Sequence, residues 1–400
     1  MSTVFSKIKG DKAIWATTGL LAVFSFLPVY SASSNLAYLY GDGSTFHYLV
    51  NHFLYLFLGF AIMFFIHKVP YHYFKGLSIL IMPVLVVLLI YTISQGVMID
   101  GANASRWINI PFINKTFQTS TLASVVLLTY VARYMAKLKD REFTFTQTIL
   151  PLWVPVGVIL MLILPANFST TAILFSMVLL LVFIGGYPIK YLMGIVGAGL
   201  VVLLIFGLTA KAFPGVFPNR VDTWISRVEN FTNDEDTEAD YQIEKAKIAI
   251  ASGGVTGNGI GKSVQRNFLP QSSSDFIYAI IVEEMGLIGG LLVMLAYLML
   301  LFRIIIVATK AHCAFGKLLV IGLGLPIIFQ ALVNMAVAVE LFPVTGQTLP
   351  LISSGGSSIW MTCLALGIIL SVSAKREEEI RKIELDEEEE NPLEILSEAI

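Results

Sequence analysis

Runs of eighteen or more mostly apolar residues recur along most of this 400-residue chain. Each is long enough to cross a hydrocarbon core of roughly 30 Å as a helix. Lipid offers no water to the backbone, so a spanning segment must satisfy its own peptide groups, which a helix does internally. The chain is 56% apolar and only 14% charged, against about 45–50% and about 25% for soluble domains. The sequence therefore predicts an all-α polytopic membrane protein and excludes a soluble globular one.

Ten transmembrane helices are predicted, at about 13–30, 48–66, 76–95, 119–136, 147–164, 168–185, 189–209, 277–307, 317–341 and 354–374. The first has a basic start (Lys7, Lys9, Lys12) and ends at Ser31-Ala32-Ser33, features shared with a cleaved signal peptide. Its long apolar stretch and the many spans that follow argue against that reading. Cytoplasmic loops retain Lys and Arg. With the N-terminus inside, inner segments hold 17 of the 26 Lys and Arg, and the short outer loops hold two, Arg106 and Lys115. Both termini are thus expected to be cytoplasmic. The other seven lie in an extracytoplasmic loop of about 210–276, between the seventh and eighth helices, and long loops translocate regardless of charge.

The net charge of −2 conceals a division between a membrane domain, 1–374, and an acidic cytoplasmic tail, 375–400. The tail carries −7 and the remainder +5. The tail reads as a solvated helix, a disordered strand or a docking segment. Cys313 and Cys363 are too few for a disulfide framework or a Cys-rich metal site. Within the long outer loop, Asn233–Asp240 reads as solvated and acidic, while 241–252 reads as a short amphipathic helix lying on the membrane. Tyr241, Ala246, Ile248 and Ala249 would form its apolar side.

Ionisable groups at membrane depth are expensive and therefore functional candidates. Asp275 borders the eighth span, Glu283 and Glu284 lie about two turns further in, and Glu340 closes the ninth. Glu283 and Glu284 also read as a buried pair bonded to backbone or hydroxyls, Glu340 as interfacial, and Asp275 as the cap of the eighth helix. The glycine-dense turn Gly253–Lys262 could cradle phosphate oxygens with its amides. It lacks the spacing of a nucleotide P-loop. The Pro- and Gly-containing stretch from Phe342 to Trp360 lies at membrane depth, where non-helical backbone must border protein or a wet cavity. It reads as a re-entrant loop lining a polar cavity. Arg106, Lys115, Arg220, Arg227, Lys262 and Arg266 would surround the mouth. One Asp among cations, beside a cavity open to lipid, fits a substrate with a phosphate head and a lipid tail. The same charges also fit ordinary solvated loops.

Four stretches resemble the SEDS family, which includes FtsW, RodA and SpoVE. They are Tyr30-Ser31-Ala32-Ser33, Gly101–Trp107, the segment from Ala249 to Gly289, and Phe342–Ser358. They are spread in family order from the first to the tenth span, so the resemblance extends over nearly the whole chain apart from the tail. The resemblance implies a membrane glycosyltransferase that polymerises lipid II into peptidoglycan strands, with Asp275 as the essential acid and general base. It implies a class B penicillin-binding protein and other division proteins as partners, no nucleic acid, and a place in the bacterial cytoplasmic membrane at the septum. Around the substrate it places Arg106, Trp107, Arg220, Lys262, Gln265, Arg266, Ser353, Gly355, Gly356 and Ser357. Arg106, Arg220 and Arg266 would stabilise the departing pyrophosphate. A divalent cation, Mg or Mn, would help at the diphosphate, but no ligand cluster identifies its site.

The Gly-x-Gly-x-Gly-x-Ser-x-Gln-Arg run ending in Leu269-Pro270 looks more like division-type than elongation-type members. The chain also departs from the family. An acid and a lysine usual at the start of the fourth helix are replaced within Thr119–Ser124, and Pro165–Thr171 lacks another usual carboxylate. No role is therefore carried to the fourth helix. Competing readings are an elongation-type polymerase, a lipid II flippase and a non-catalytic division scaffold. A flippase would need polar groups continuing through the spans, and the cytoplasmic half offers few.

Overall fold

The computed structural model describes residues 8–39, 45–95, 106–110, 115–139, 141–212, 238–269 and 272–389. Helices α1 (Lys12–Leu39), α2 (Thr45–Ile66) and α3 (Tyr73–Gln95) are followed by a hairpin of β1 (Trp107–Ile110) and β2 (Lys115–Gln118). Then come α4 (Thr119–Leu138), α5 (Phe145–Ile163), α6 (Phe168–Ile184), α7 (Ile189–Ala212) and α8 (Glu238–Gly253). The chain continues through α9 (Ile277–Lys310), α10 (Ala314–Ala338) and α11 (Gly356–Glu389). All ten predicted spans are helical.

Among the described residues, nine helices are long and apolar enough to cross a membrane, where the sequence predicts ten. The shorter one is α6, with 17 residues. Its ends are set locally: the Asn167 side chain accepts from the Thr170 amide at 3.2 Å, and Gly185-Gly186 closes it. Helix α5 contains a π turn at Ile149–Trp153. Pro155 cannot donate to the carbonyl of Pro151, and the Tyr130 hydroxyl of α4 donates to it instead.

The core is organised around α10, which packs against α9, α4, α11 and α6. Burial reaches 83% of the apolar stretch of α11 but only 6% of that of α7, which places α7 at the periphery. At one end of the bundle, Asp11 caps α1 through the amides of Ala13 and Ile14 and receives a two-pronged bond from Arg303 of α9. Helix α11 runs on past residue 375, so no break in structure marks the start of the acidic tail.

One expectation for the outer segments needs correction, and another outer segment has structure that the sequence reading did not assign. The 96–118 loop contains the β1–β2 hairpin, in antiparallel register from Trp107 opposite Gln118 to Ile110 opposite Lys115. Residues 241–252 are helical but dock on protein, because the inward side is Ile243, Ala246 and Ala249, packed with Phe276, Ile280, Val333 and Val337. Tyr241 and Ile248 are exposed instead. Glu340, half-exposed at the end of α10, pairs with Lys247 of α8 at 2.6 Å. Arg220, Arg227 and most of the acidic stretch 233–240 lie outside the described residues, as do residues 101–105.

Candidate functional site

Asp275 lies in the turn that leads into α9. The N-cap position of that helix falls to Phe276, without a side-chain cap bond, so the capping role open to Asp275 in the sequence is not the one it takes. Its backbone carbonyl accepts a hydrogen bond from Asn334 Nδ2 at 2.8 Å, and the same nitrogen donates to Gln347 O at 2.7 Å. One buried amide of α10 thus holds both the turn carrying Asp275 and the 342–355 loop. Adjacent bonds complete the seam, from Ser353 Oγ to Ser274 O at 2.6 Å and from the Ser354 amide to Ser273 O at 2.9 Å.

Gly346 locates the Asp275 carboxylate and the Arg106 guanidinium. A methyl carbon placed on it would lie 3.5 Å from Asp275 Oδ2 and 3.9 Å from Arg106 Nη1. Carboxylate and guanidinium therefore converge on one point of the loop. Gly346 sits at φ +66°, a conformation that L side chains adopt only at a cost. Arg106 is braced from behind by its Nε, which donates to Ala166 O at 2.9 Å. The hairpin that carries Arg106 is tied down in turn, with Lys115 Nζ donating to Asn51 of α2 at 2.8 Å.

Beneath Gly346 a cavity of about 110 Å³ runs down between α4, α6, α10 and α11. Its lining carries no charge and is mixed: Gln118, Thr121, Ser124, Thr170, Gln330 and Ser358 offer polar groups, among apolar side chains such as Leu128, Ile173, Met177, Leu323 and Ile327. Gln330 holds Thr348 through its carbonyl at 2.8 Å, and Gln347 donates to Thr170 at 3.0 Å, so the re-entrant loop forms the roof. Beside it, a second cavity of about 310 Å³ has Arg106 at its head. Phe168, Ile173, Phe329, Val333 and Phe342 form its apolar walls. Phe329 and Phe342 are exposed on the outer surface of the bundle. The site therefore joins an acid, a cation, a neutral polar hollow and an apolar groove.

Glu283 and Glu284 form a different structure. Glu283 accepts from the amides of Val264 at 2.9 Å and Gln265 at 3.3 Å and from the Ser263 hydroxyl. Glu284 accepts from the Ser263 amide at 3.2 Å and from the Ser31 hydroxyl of α1. The amides of Asn258 and Gly259 reach the carbonyls of Glu283 and Glu284 at 3.0 and 2.9 Å. Within Gly253–Lys262, the amides of Gly257, Asn258, Gly259 and Lys262 are bonded to backbone carbonyls, which leaves fewer of them for phosphate oxygens. The carboxyl pair holds the 263–265 turn, and the carbonyls of the same two residues hold the glycine segment against α9, where the helix breaks at Gly286 (φ 68°, ψ −172°).

The predicted substrate residues accordingly separate. Arg106 joins Asp275, and Trp107 lies half-buried next to it in β1. Arg266 donates through Nη1 to Ser31 Oγ at 2.9 Å. Gln265 lies in the same clamp, and Lys262 is exposed, folded over its own turn beside Gly259. Ser353 is not open to a ligand, because its hydroxyl also accepts from the Leu349 amide at 2.7 Å. Ser357 is buried, and Gly356 packs on Tyr55, where an added carbon would meet the ring at 2.7 Å. Gly355 packs close to Thr348, and Ser358 is the hydroxyl that reaches the cavity.

Residues missed in the sequence include Asn334, Gln330, Gln347, Thr348 and Thr170. Gln330 and Asn334 did carry a signal, being amides four apart on one face of an apolar span. Among the described residues no three His, Cys, Asp or Glu side chains gather as a metal group.

Comparisons with known proteins agree with this architecture. The family profile described as cell cycle protein, covering FtsW, RodA and SpoVE, matches residues 11–378. A Geobacter sulfurreducens protein named probable peptidoglycan glycosyltransferase FtsW is 32% identical over 91% of this chain and 95% of its own. The stage V sporulation protein E of Bacillus subtilis is 29% identical over 92% and 98%. In a solved structure of a peptidoglycan synthase complex, one chain superposes with a TM-score of 0.70 at 22% identity, covering 92% of this chain and 98% of that one. RodA of Thermus thermophilus gives 0.65 at 22% identity, covering 92% and 97%. The protein is a multi-pass membrane protein that belongs to the FtsW/RodA/SpoVE family.

Proposed function

We propose that the protein is a peptidoglycan glycosyltransferase that polymerises lipid II, with Asp275 as general base. The observation that carries this reading is the convergence of Asp275 and Arg106 on Gly346, at the roof of a neutral polar cavity and the head of an apolar groove. A sugar at its mouth needs hydroxyl and amide partners, and Thr170, Gln330, Gln347 and Ser358 supply them without a charge. A polyprenyl diphosphate needs a cation and an apolar path, and Arg106 and the groove supply both.

In the proposed reaction, the 4-hydroxyl of one disaccharide attacks the anomeric carbon of another. A carbon–oxygen bond forms there as the bond to the diphosphate breaks, and the electron pair leaves with the diphosphate. Asp275 takes the hydroxyl proton in the transition state, a contribution of typically about 10²–10⁴-fold. Arg106 faces the charge growing on the leaving group, where a preorganised donor acts most strongly. A divalent cation, if bound, would supply further charge neutralisation at the diphosphate.

Relatives named FtsW and the Gly257–Arg266 run support a division role at the septum over elongation. The structural neighbour belongs to a synthase complex that coordinates polymerization and crosslinking, which supports a class B penicillin-binding protein as partner. The test is polymer formation from purified lipid II by the protein reconstituted with its class B partner. Wild type should make glycan strands, and Asp275→Asn at equal abundance should make none. Equal product from both moves the base elsewhere. No product from either, with a control polymerase active in the same vesicles, leaves a flippase or scaffold.

A further inference from the structure

At the opposite end of the bundle, a third and larger hollow has no part in this chemistry. Asn334, which holds the Asp275 turn, and Lys317 lie 17 residues apart on α10, about 25 Å along the helix at 1.5 Å per residue. Around Lys317 the ends of α4, α6 and α9 leave a cavity of about 630 Å³. Its walls are apolar, formed by Leu138, Phe143, Ile184, Ile305, Leu318 and Ile321. Its rim is cationic, formed by Lys139, Arg141 and Lys317.

Three features separate this hollow from an ordinary solvated rim. Lys139, Arg141 and Lys317 are exposed, and their side chains make no ion pair or hydrogen bond among the described residues. Among the described residues no carboxylate lines the cavity, not even Glu142 beside Arg141, while Asp140 lies outside those residues. Ile184 and Ile305 are exposed at its edge, so the hollow opens sideways between helix ends as well as toward the aqueous face. Three cations over an apolar pit match a ligand with an anionic head and hydrocarbon chains.

We propose that this hollow is a binding site for an anionic phospholipid of the adjoining leaflet. That leaflet is the cytoplasmic one by the Lys and Arg distribution. The phosphate head lies among Lys139, Arg141 and Lys317, and the first acyl carbons lie along Ile184, Ile305 and Ile321. Basic pockets between helices on the cytoplasmic side have the chemistry to bind such heads. The lipid fills the gap between the ends of α4, α6, α9 and α10, which at their other ends build the polar cavity and the Asp275 turn. The acidic tail, which starts on the same side, is the competing occupant. It matches the rim in charge but has little to fill apolar walls.

The test is native mass spectrometry of the full-length protein with dioleoylphosphatidylglycerol or dioleoylphosphatidylcholine added to the micelles. The phosphatidylglycerol adduct should be retained in preference to the zwitterionic lipid. Lys139→Gln with Arg141→Gln and Lys317→Gln should weaken it on the order of 100-fold, from about 1 kcal/mol for each basic residue. Ile305→Trp, which fills the pit and keeps the cations, should displace it as well. Each variant is read at an unchanged thermal midpoint, and Lys317→Gln alone should give a graded loss if the triple variant does not hold its fold. Equal retention of both lipids, or an adduct that survives both changes, overturns the proposal. So does a preference that emerges only after truncation at residue 378, because the tail would then be the occupant.

Discussion

The side-chain amide of Asn334 donates to the backbone carbonyl of Asp275 at 2.8 Å, so the acid proposed as base is positioned by a helix that lies 59 residues away in sequence. The same nitrogen holds Gln347. Asn334→Leu would leave two carbonyls without their donor, a loss of about 1–3 kcal/mol for each buried group left unpaired. It should slow polymerisation by about 10²-fold, the scale of a misplaced catalytic group. Turnover measured beside abundance and lipid II affinity checks this. A proportional fall of abundance and activity would make the residue purely structural.

Arg106 faces Asp275 across Gly346, and its other contact is a carbonyl at the start of α6. Arg106→Ala should lower turnover by about 10²–10³-fold, the effect of removing one preorganised donor. Abundance should stay normal. Arg106→Lys keeps the charge and loses the fork, so it should recover only part of the activity. Single-turnover rates on lipid II distinguish the three proteins, and a wild-type rate for Arg106→Ala would remove the residue from the site.

The carboxyl pair makes a stability prediction. Glu283 receives three bonds from the 263–265 turn. Glu283→Ala would orphan two amides and a hydroxyl and should lower stability by about 3 kcal/mol or more. Glu283→Gln keeps an acceptor oxygen for the two amides and should cost less. Thermal unfolding in detergent should rank wild type, Gln and Ala in that order. Equal midpoints for all three would show that the clamp adds nothing to stability.

Gly286 is the most constrained position in α9. At φ 68°, an added carbon would lie 2.2 Å from Val255 O and 2.5 Å from the Gly257 amide nitrogen. Contacts this short cannot be relieved by a side-chain rotation, because both atoms are backbone. Gly286→Ala should therefore unlock the glycine segment and lower abundance sharply. Limited proteolysis should show cleavage within 253–266 in the variant and protection in wild type.

Much of the protein was legible from its residues alone. The ten helical segments follow from apolar runs whose backbone has no other partner in lipid, and the distribution of Lys and Arg sets the expected orientation. Asp275 stood out because carboxylates are rare at membrane depth. These are properties of single segments, and hydropathy and charge are local.

Tertiary packing alone decided which polar residues act together. Arg106 and Arg266 look alike in sequence, yet one meets Asp275 at Gly346 and the other binds Ser31. The glycine turn has the composition of an anion cradle, but two of its amides, Asn258 and Gly259, are bonded to the carbonyls of Glu283 and Glu284 from the next helix. Gln330, Asn334 and Gln347 became site residues only when α10 was laid beside the turn before α9. Hydrogen bonds act over about 3 Å, and the order of residues along a chain does not say which distant groups packing will bring that close.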